Sequence, residues 1–109
     1  MATAEIIHSM TEQIVREFDP LRVVLFGSHA RGDAGPQSDV DLLVVMAQMP
    51  DKRQTAIAIR RALARWPVSK DIIVTTPDEI ALRGQLVGTV LRPALREGRV
   101  LYERTPRSG

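Results

Sequence analysis

From Thr3 to Phe18 the apolar residues Ile6, Ile7, Met10, Ile14, Val15 and Phe18 return every three or four positions, the period of a helix with one face on a core. Glu5 sits near its positive end, where an acid is favoured. Asp19-Pro20 stops it, because the ring of Pro20 disfavours helical geometry at Asp19. The pattern then changes: Leu21–Phe26 (LRVVLF) is a short β-branched apolar run ending at Gly27, and this predicts a buried strand. Gly27 to Ser38 carries glycines at 27, 32 and 35 with Pro36, so it reads as turn and loop with a brief helical turn around Ser28 to Arg31.

Val40 to Met46 predicts a second buried strand, entered through Asp39-Val40-Asp41. Pro50-Asp51 opens a helix to about Arg65, with Ala56, Ile57, Ile59, Ala62, Leu63 and Trp66 as inward positions and Pro67 as its end. Asp71–Thr75 (DIIVT) predicts a third strand. Thr76-Pro77-Asp78-Glu79 is a helix start, with Thr76 as N-cap, Pro77 at the first position and Glu79 completing a capping box. That helix runs to about Arg83 and resumes from Gln85 to Arg96, with Pro93 kinking it or marking a first turn. After the C-cap Gly98, Arg99 to Tyr102 (RVLY) predicts a fourth strand at an edge, followed by a frayed tail from Arg104 to Gly109. The pattern as a whole predicts a mixed α/β (α+β) domain over 1–103, a small mixed sheet of about four strands with helices mainly on one face.

Composition narrows this picture. The 109 residues suit one domain, and the apolar fraction of 44% with 26% charged residues is ordinary for a globular fold. There are no cysteines, so any metal must be held by carboxylates or histidines. The formal net charge is +2, with a pI near 9.7; the arginines are scattered apart from Arg60 and Arg61, a poor match to a nucleic-acid-binding block. No apolar run approaches the length of a membrane span, and no apolar segment follows basic residues at the N-terminus. Cytoplasmic residence without membrane attachment is the expectation.

The chemistry gathers in three places. Gly27-Ser28 follows the first strand, at the carboxyl end where open α/β sheets bind ligands. Asp39 and Asp41 open the second strand; residues two apart share a strand face, about 6 to 7 Å apart. Two carboxylates so placed repel, and one retains its proton unless a cation intervenes. Mg²⁺ prefers such oxygens. If Asp71 lies on a neighbouring strand, three carboxylates converge, a donor set suited to two metal ions bridging a phosphate and an attacking oxygen. Glycine at position 27 lets phosphate approach the backbone, Ser28 adds a hydroxyl, and Arg31 could pair with phosphate through its planar fork or with Asp33 at the surface.

Gly27-Ser28, ten intervening residues and Asp39-x-Asp41 together resemble the signature of the DNA polymerase β nucleotidyltransferase superfamily. The fuller string FGSHARGDAGPQSDVDLLV looks like its MNT branch, the minimal nucleotidyltransferases, and the resemblance covers nearly the whole chain. It implies the nucleotidyltransferase fold, with Gly27, Ser28 and Arg31 on the triphosphate of ATP and Asp39, Asp41 and Asp71 holding Mg²⁺, Asp71 also assisting deprotonation of the acceptor hydroxyl. It implies a HEPN-type partner, the toxin of a toxin–antitoxin pair, as the protein that receives AMP. Two alternatives use the same residues. A small hydroxyl compound such as an aminoglycoside could be the acceptor, although the short chain offers no added domain to bind it. A non-catalytic antitoxin could act by occlusion, although three uncompensated carboxylates would then cost stability.

Other residues take structural readings. His29 lies inside the motif, where its side chain could touch phosphate, but a partly exposed position is the expectation; His8 is expected on the helix surface. Trp66 is expected to anchor a helix end, Met46 and Met49 to fill core and loop, and the stripe of Leu86, Val87, Val90, Leu91 and Leu95 to face the core. The two histidines are too far apart in sequence to suggest a zinc site.

Overall fold

The computed structural model describes residues 2–35, 37–83 and 98–104. The expected helix Gln85 to Arg96, its apolar stripe and all but the first residue of the tail fall outside the described residues. Helix α1 covers Thr3–Phe18, as the periodicity predicts, and buries Ile6, Ile7, Met10 and Ile14 along one face. It ends where Asp19 turns left-handed at φ 50°, a conformation that a short polar side chain tolerates better than most. Pro20 is fully buried behind that turn.

The strands are β1 (Arg22–Phe26), β2 (Val40–Val45), β3 (Lys70–Thr75) and β4 (Arg99–Glu103), in the order β3-β2-β1-β4. β1 runs antiparallel to β2 and β4, whereas β2 and β3 are parallel. The expected mixed four-stranded sheet is therefore the observed one. A short helix α2 (Ser28–Arg31) leads out of β1, α3 (Lys52–Ala62) joins β2 to β3, and α4 (Pro77–Arg83) follows β3.

Alternation sorts each strand between two faces. On one face Val23, Leu25, Val40, Leu42, Val44, Ile72 and Val74 pack with Ile6, Ile7, Met10 and Ile14 of α1 and with Ile59 and Leu63 at α3. On the other, Val24, Leu43 and Val45 pack with Leu21, Phe26, Ile73 and Ile80 of α4. α1 and α3 thus share one face, as expected, and α4 contributes Ile80 to the opposite one. Among the described residues no helix is long and apolar enough to cross a membrane.

α3 stops at Ala62, short of the expected Arg65. The cause is a contact distant in sequence: the Gln13 amide donates to the Ala62 carbonyl at 2.7 Å, the acceptor that another helical turn would need. Trp66 then turns back to dock on the core, its indole N–H donating to the Gln13 carbonyl oxygen at 2.9 Å. At the other end Asp51 caps α3 by accepting from the Gln54 N–H at 3.1 Å. For α4, Thr76 accepts from the Glu79 N–H at 3.2 Å, the N-cap predicted, while the Glu79 carboxylate accepts from Thr75 Oγ1 at 3.0 Å and pairs with Lys52 at 2.7 Å. Arg104, expected at the start of a frayed tail, is tied down: its N–H donates to the Leu21 carbonyl at 2.8 Å and its guanidinium pairs with Asp19.

Candidate active site

Sheet topology brings the chemistry-bearing residues to one end. Because β2 is antiparallel to β1, the chain leaves β1 where β2 begins, and Phe26 stands opposite Asp41. Because β3 is parallel to β2, it begins at that same end, and Asp41 stands directly opposite Asp71. Parallel partners point to the same side of a sheet, so these two carboxyl groups share the face that carries Leu43 and Ile73. Val40, between the aspartates, turns into the core as expected and is 1% exposed.

Gly27 lies against this pair. It adopts φ 75°, a conformation costly for any residue with a Cβ. A Cβ built there would overlap Asp41 Oδ2 and lie 3.2 Å from its Cγ, so glycine is demanded by both backbone and space. The following turn, α2, is closed by the Ala30 and Arg31 N–H groups donating to the Gly27 carbonyl at 3.1 and 3.2 Å. Gly32 caps it at φ 83°.

Asp41 is the electrostatic centre. Burial, then the charges of Asp71 and Asp39, push its pKa above the ordinary 3.8, while His29 and Arg31 pull it back. Asp39 precedes β2 rather than lying within it, and is exposed. Asp71 is half exposed and pairs with Arg60 of α3 at 3.5 Å. Among the described residues no three metal-ligating side chains stand as a ready-made cluster. The donor chemistry nevertheless fits a hard divalent cation: all the groups are carboxylates, and their mutual repulsion at Asp41 is what such a cation relieves.

Arg31 pairs with Asp33 at 3.3 Å, both exposed, while its charge is also felt at Asp41. His29 is partly exposed, as expected, with Nε2 3.3 Å from the Ser38 carbonyl. His8 is exposed and pairs with Glu12 at 2.8 Å, as a surface residue should. Sequence reasoning passed over Arg60 and Ser38. Helical spacing could have placed Arg60 near β3, but nothing local announces the role of Ser38. Two cavities flank His29: one of about 250 Å³ touching Ser38, Val40 and Ser69, and one of about 310 Å³ touching Ile7, Leu25 and Arg99.

Comparison with known proteins bears on the family and the fold. The family described as nucleotidyltransferase domain matches residues 8–99. Two Methanocaldococcus jannaschii proteins, each named as a candidate protein adenylyltransferase, are similar. One is 41% identical over 54 residues, covering 50% of this chain and 54% of its own. The other is 29% identical over 91 residues, covering 79% and 60%. The chain thus spans little more than half the length of these curated relatives. Among solved structures, a candidate nucleotidyltransferase from Sulfolobus solfataricus superposes with a TM-score of 0.61 at 22% identity, over 92% of this chain and 79% of that one. A toxin–antitoxin complex with AMP-PNP gives 0.58 at 20% identity, over 89% and 73%. An MntA–HpeT toxin–antitoxin mutant with two aspartate-to-glutamate changes gives 0.56 at 17% identity, over 95% and 75%. At these identities the structural matches speak for the fold.

Proposed function

The chain belongs to the nucleotidyltransferase domain family, and from that premise we propose that it transfers AMP from ATP to a side-chain hydroxyl of a partner protein, with Mg²⁺ bound at its carboxylates. The observation that carries this reading is the register: Asp41 opposite Asp71 on one face, with Gly27 packed against Asp41. In this reading Gly27 and Ser28 receive the triphosphate, and the missing Cβ at position 27 lets that turn sit directly against Asp41. Arg31 exchanges Asp33 for a phosphate oxygen, a charge-assisted contact of the same kind. Asp39, Asp41 and Asp71 would hold Mg²⁺, which when bound would supply positive charge to offset that developing on the phosphate oxygens.

The chain's own residues supply the rest. Asp71 takes the proton of the acceptor hydroxyl as that oxygen bonds to the α-phosphorus. The bond from the α-phosphorus to the bridging oxygen breaks, and pyrophosphate leaves. Arg60 of α3 stands beside Asp71, 3.5 Å from its carboxylate. The two similar M. jannaschii proteins, named as candidate protein adenylyltransferases, and the toxin–antitoxin fold matches favour a protein acceptor. The acceptor that fits is a HEPN-type toxin, silenced by the modification.

Incubation of the protein and such a partner with ATP labelled at the α-phosphate is the direct test. Label should pass to the partner, require Mg²⁺, and fall by at least roughly 10³-fold with Asp39→Ala, about 4 kcal/mol in barrier. Equal labelling by wild type and variant would overturn the proposal. Full neutralisation of the toxin by the unlabelling variant would replace it with occlusion.

A further inference from the structure

The ten residues between Ser28 and Asp39 contain few apolar side chains to hold them, yet they must deliver Asp39 beside the Gly27-Ser28 turn. Ser38, immediately before Asp39, uses all three of its polar groups. Its N–H donates to the Gly35 carbonyl at 3.1 Å. Its hydroxyl accepts from the Gly35 N–H at 2.9 Å. Its carbonyl faces Nε2 of His29 at 3.3 Å. A carbonyl can only accept, so His29 carries the proton on Nε2 and donates it. Gly35 and Ser38 close the loop on itself; His29 alone among these contacts joins it to α2, the element that begins at Ser28.

We infer that His29 is a positioning residue: its Nε2–H latches the Ser38 carbonyl and so fixes Asp39 relative to the Gly27-Ser28 turn. His29 is among the residues lining two cavities, of about 250 and 310 Å³. The core contact of α2 is made by the next residue, Ala30. The His29 ring is only partly buried, so His29→Ala is expected to leave the core closed. The latch rests on the nucleotidyltransferase reading only for its consequence in catalysis; its mechanical part stands alone.

The test has two arms and two variants. His29→Ala removes the donor, whereas His29→Gln keeps an amide N–H at a similar distance along the side chain but carries no charge. In the ligand-free protein, hydrogen exchange at the Ser38 and Asp39 amides should quicken in His29→Ala and stay near wild type in His29→Gln, with unchanged melting temperature in both. In the second arm, binding of AMP-PNP with Mg²⁺ should weaken about 10-fold in His29→Ala, and kcat should fall roughly 10- to 100-fold, as expected for a displaced reacting group. Glutamine should restore both. Equal exchange in all three proteins would overturn the latch, whatever the enzyme does. Glutamine failing where histidine works would also overturn it, because that outcome assigns the role to imidazole charge. If the wild type bound no nucleotide at all, the functional reading would fail while the exchange arm still decided the latch.

Discussion

On the helix-covered face of the sheet, Met10, Ile14, Leu42, Val44 and Ile59 are fully buried, and the polar atoms among them are matched. Gln13 spends its amide N–H on the Ala62 carbonyl and its oxygen on Trp66. No buried side-chain nitrogen or oxygen among the described residues lacks a partner. At the carboxylate end the priorities reverse. Asp39 and Asp71 both raise the pKa of Asp41, Gly27 takes φ 75°, and the space a Cβ would need there is taken by the Asp41 carboxylate. One region is arranged to minimise free energy. The other keeps like charges close and a backbone path open only to glycine, features that suit a site held for a ligand.

The two regions should respond oppositely to substitution, and the largest effects test this first. Met10→Ala should cost about 2–5 kcal/mol in denaturant unfolding, the range for buried large-to-small changes. It should leave kcat of the folded fraction unchanged. A loss of turnover beyond the unfolded fraction would erase the distinction between the regions. Gly27→Ala should cut transfer by roughly 10²-fold, since displacing Asp41 by a fraction of an ångström is enough to misalign a reacting centre. Full activity in that variant would show that the close approach at position 27 has no role.

The smallest effect is also the sharpest. Burial and like charges raise the Asp41 pKa, so the fold favours the protonated carboxyl. Stability from this group is present at low pH and is lost as pH rises through the folded-state value, above 3.8. At neutral pH the charge is a liability. Asp41→Asn should therefore melt slightly higher than wild type in metal-free buffer at pH 7, by under about 1 kcal/mol because the group is partly solvated. That advantage should shrink below the ordinary carboxylate range, and shrink again when Mg²⁺ stabilises the wild type alone. A lower melting temperature for the asparagine variant would mean that the carboxylate is structural.

Much of this contrast was legible in the chain. The three- and four-residue spacing of Ile6, Met10 and Ile14 marked α1, and the runs LRVVLF and DIIVT marked strands, because burial on a helix or sheet leaves a period behind. The Gly-Ser and Asp-x-Asp motifs were legible for a related reason: close approach and paired charge each demand particular residue types. Pairing was not legible. Whether Asp71 would join Asp41 depends on β3 lying next to β2 and parallel to it, and neither fact is encoded locally. The early end of α3 depends on Gln13, far away in sequence. The contact of His29 with Ser38 was not legible, because its partner is a backbone carbonyl, which every residue has and no side-chain pattern announces. The left-handed Asp19 was likewise hidden behind the expectation of a plain helix stop before Pro20.

Consider finally what one step of slippage between β2 and β3 would do. Ile72 and Val74 would leave the interior for the opposite side of the sheet, and Asp71 would take their place among aliphatic side chains. Such a misaligned chain would be poorly packed and would also lack its third carboxyl group. Oil and water thus enforce the spacing of the carboxylates as a by-product, and any mutation that loosens the alignment should announce itself first as instability.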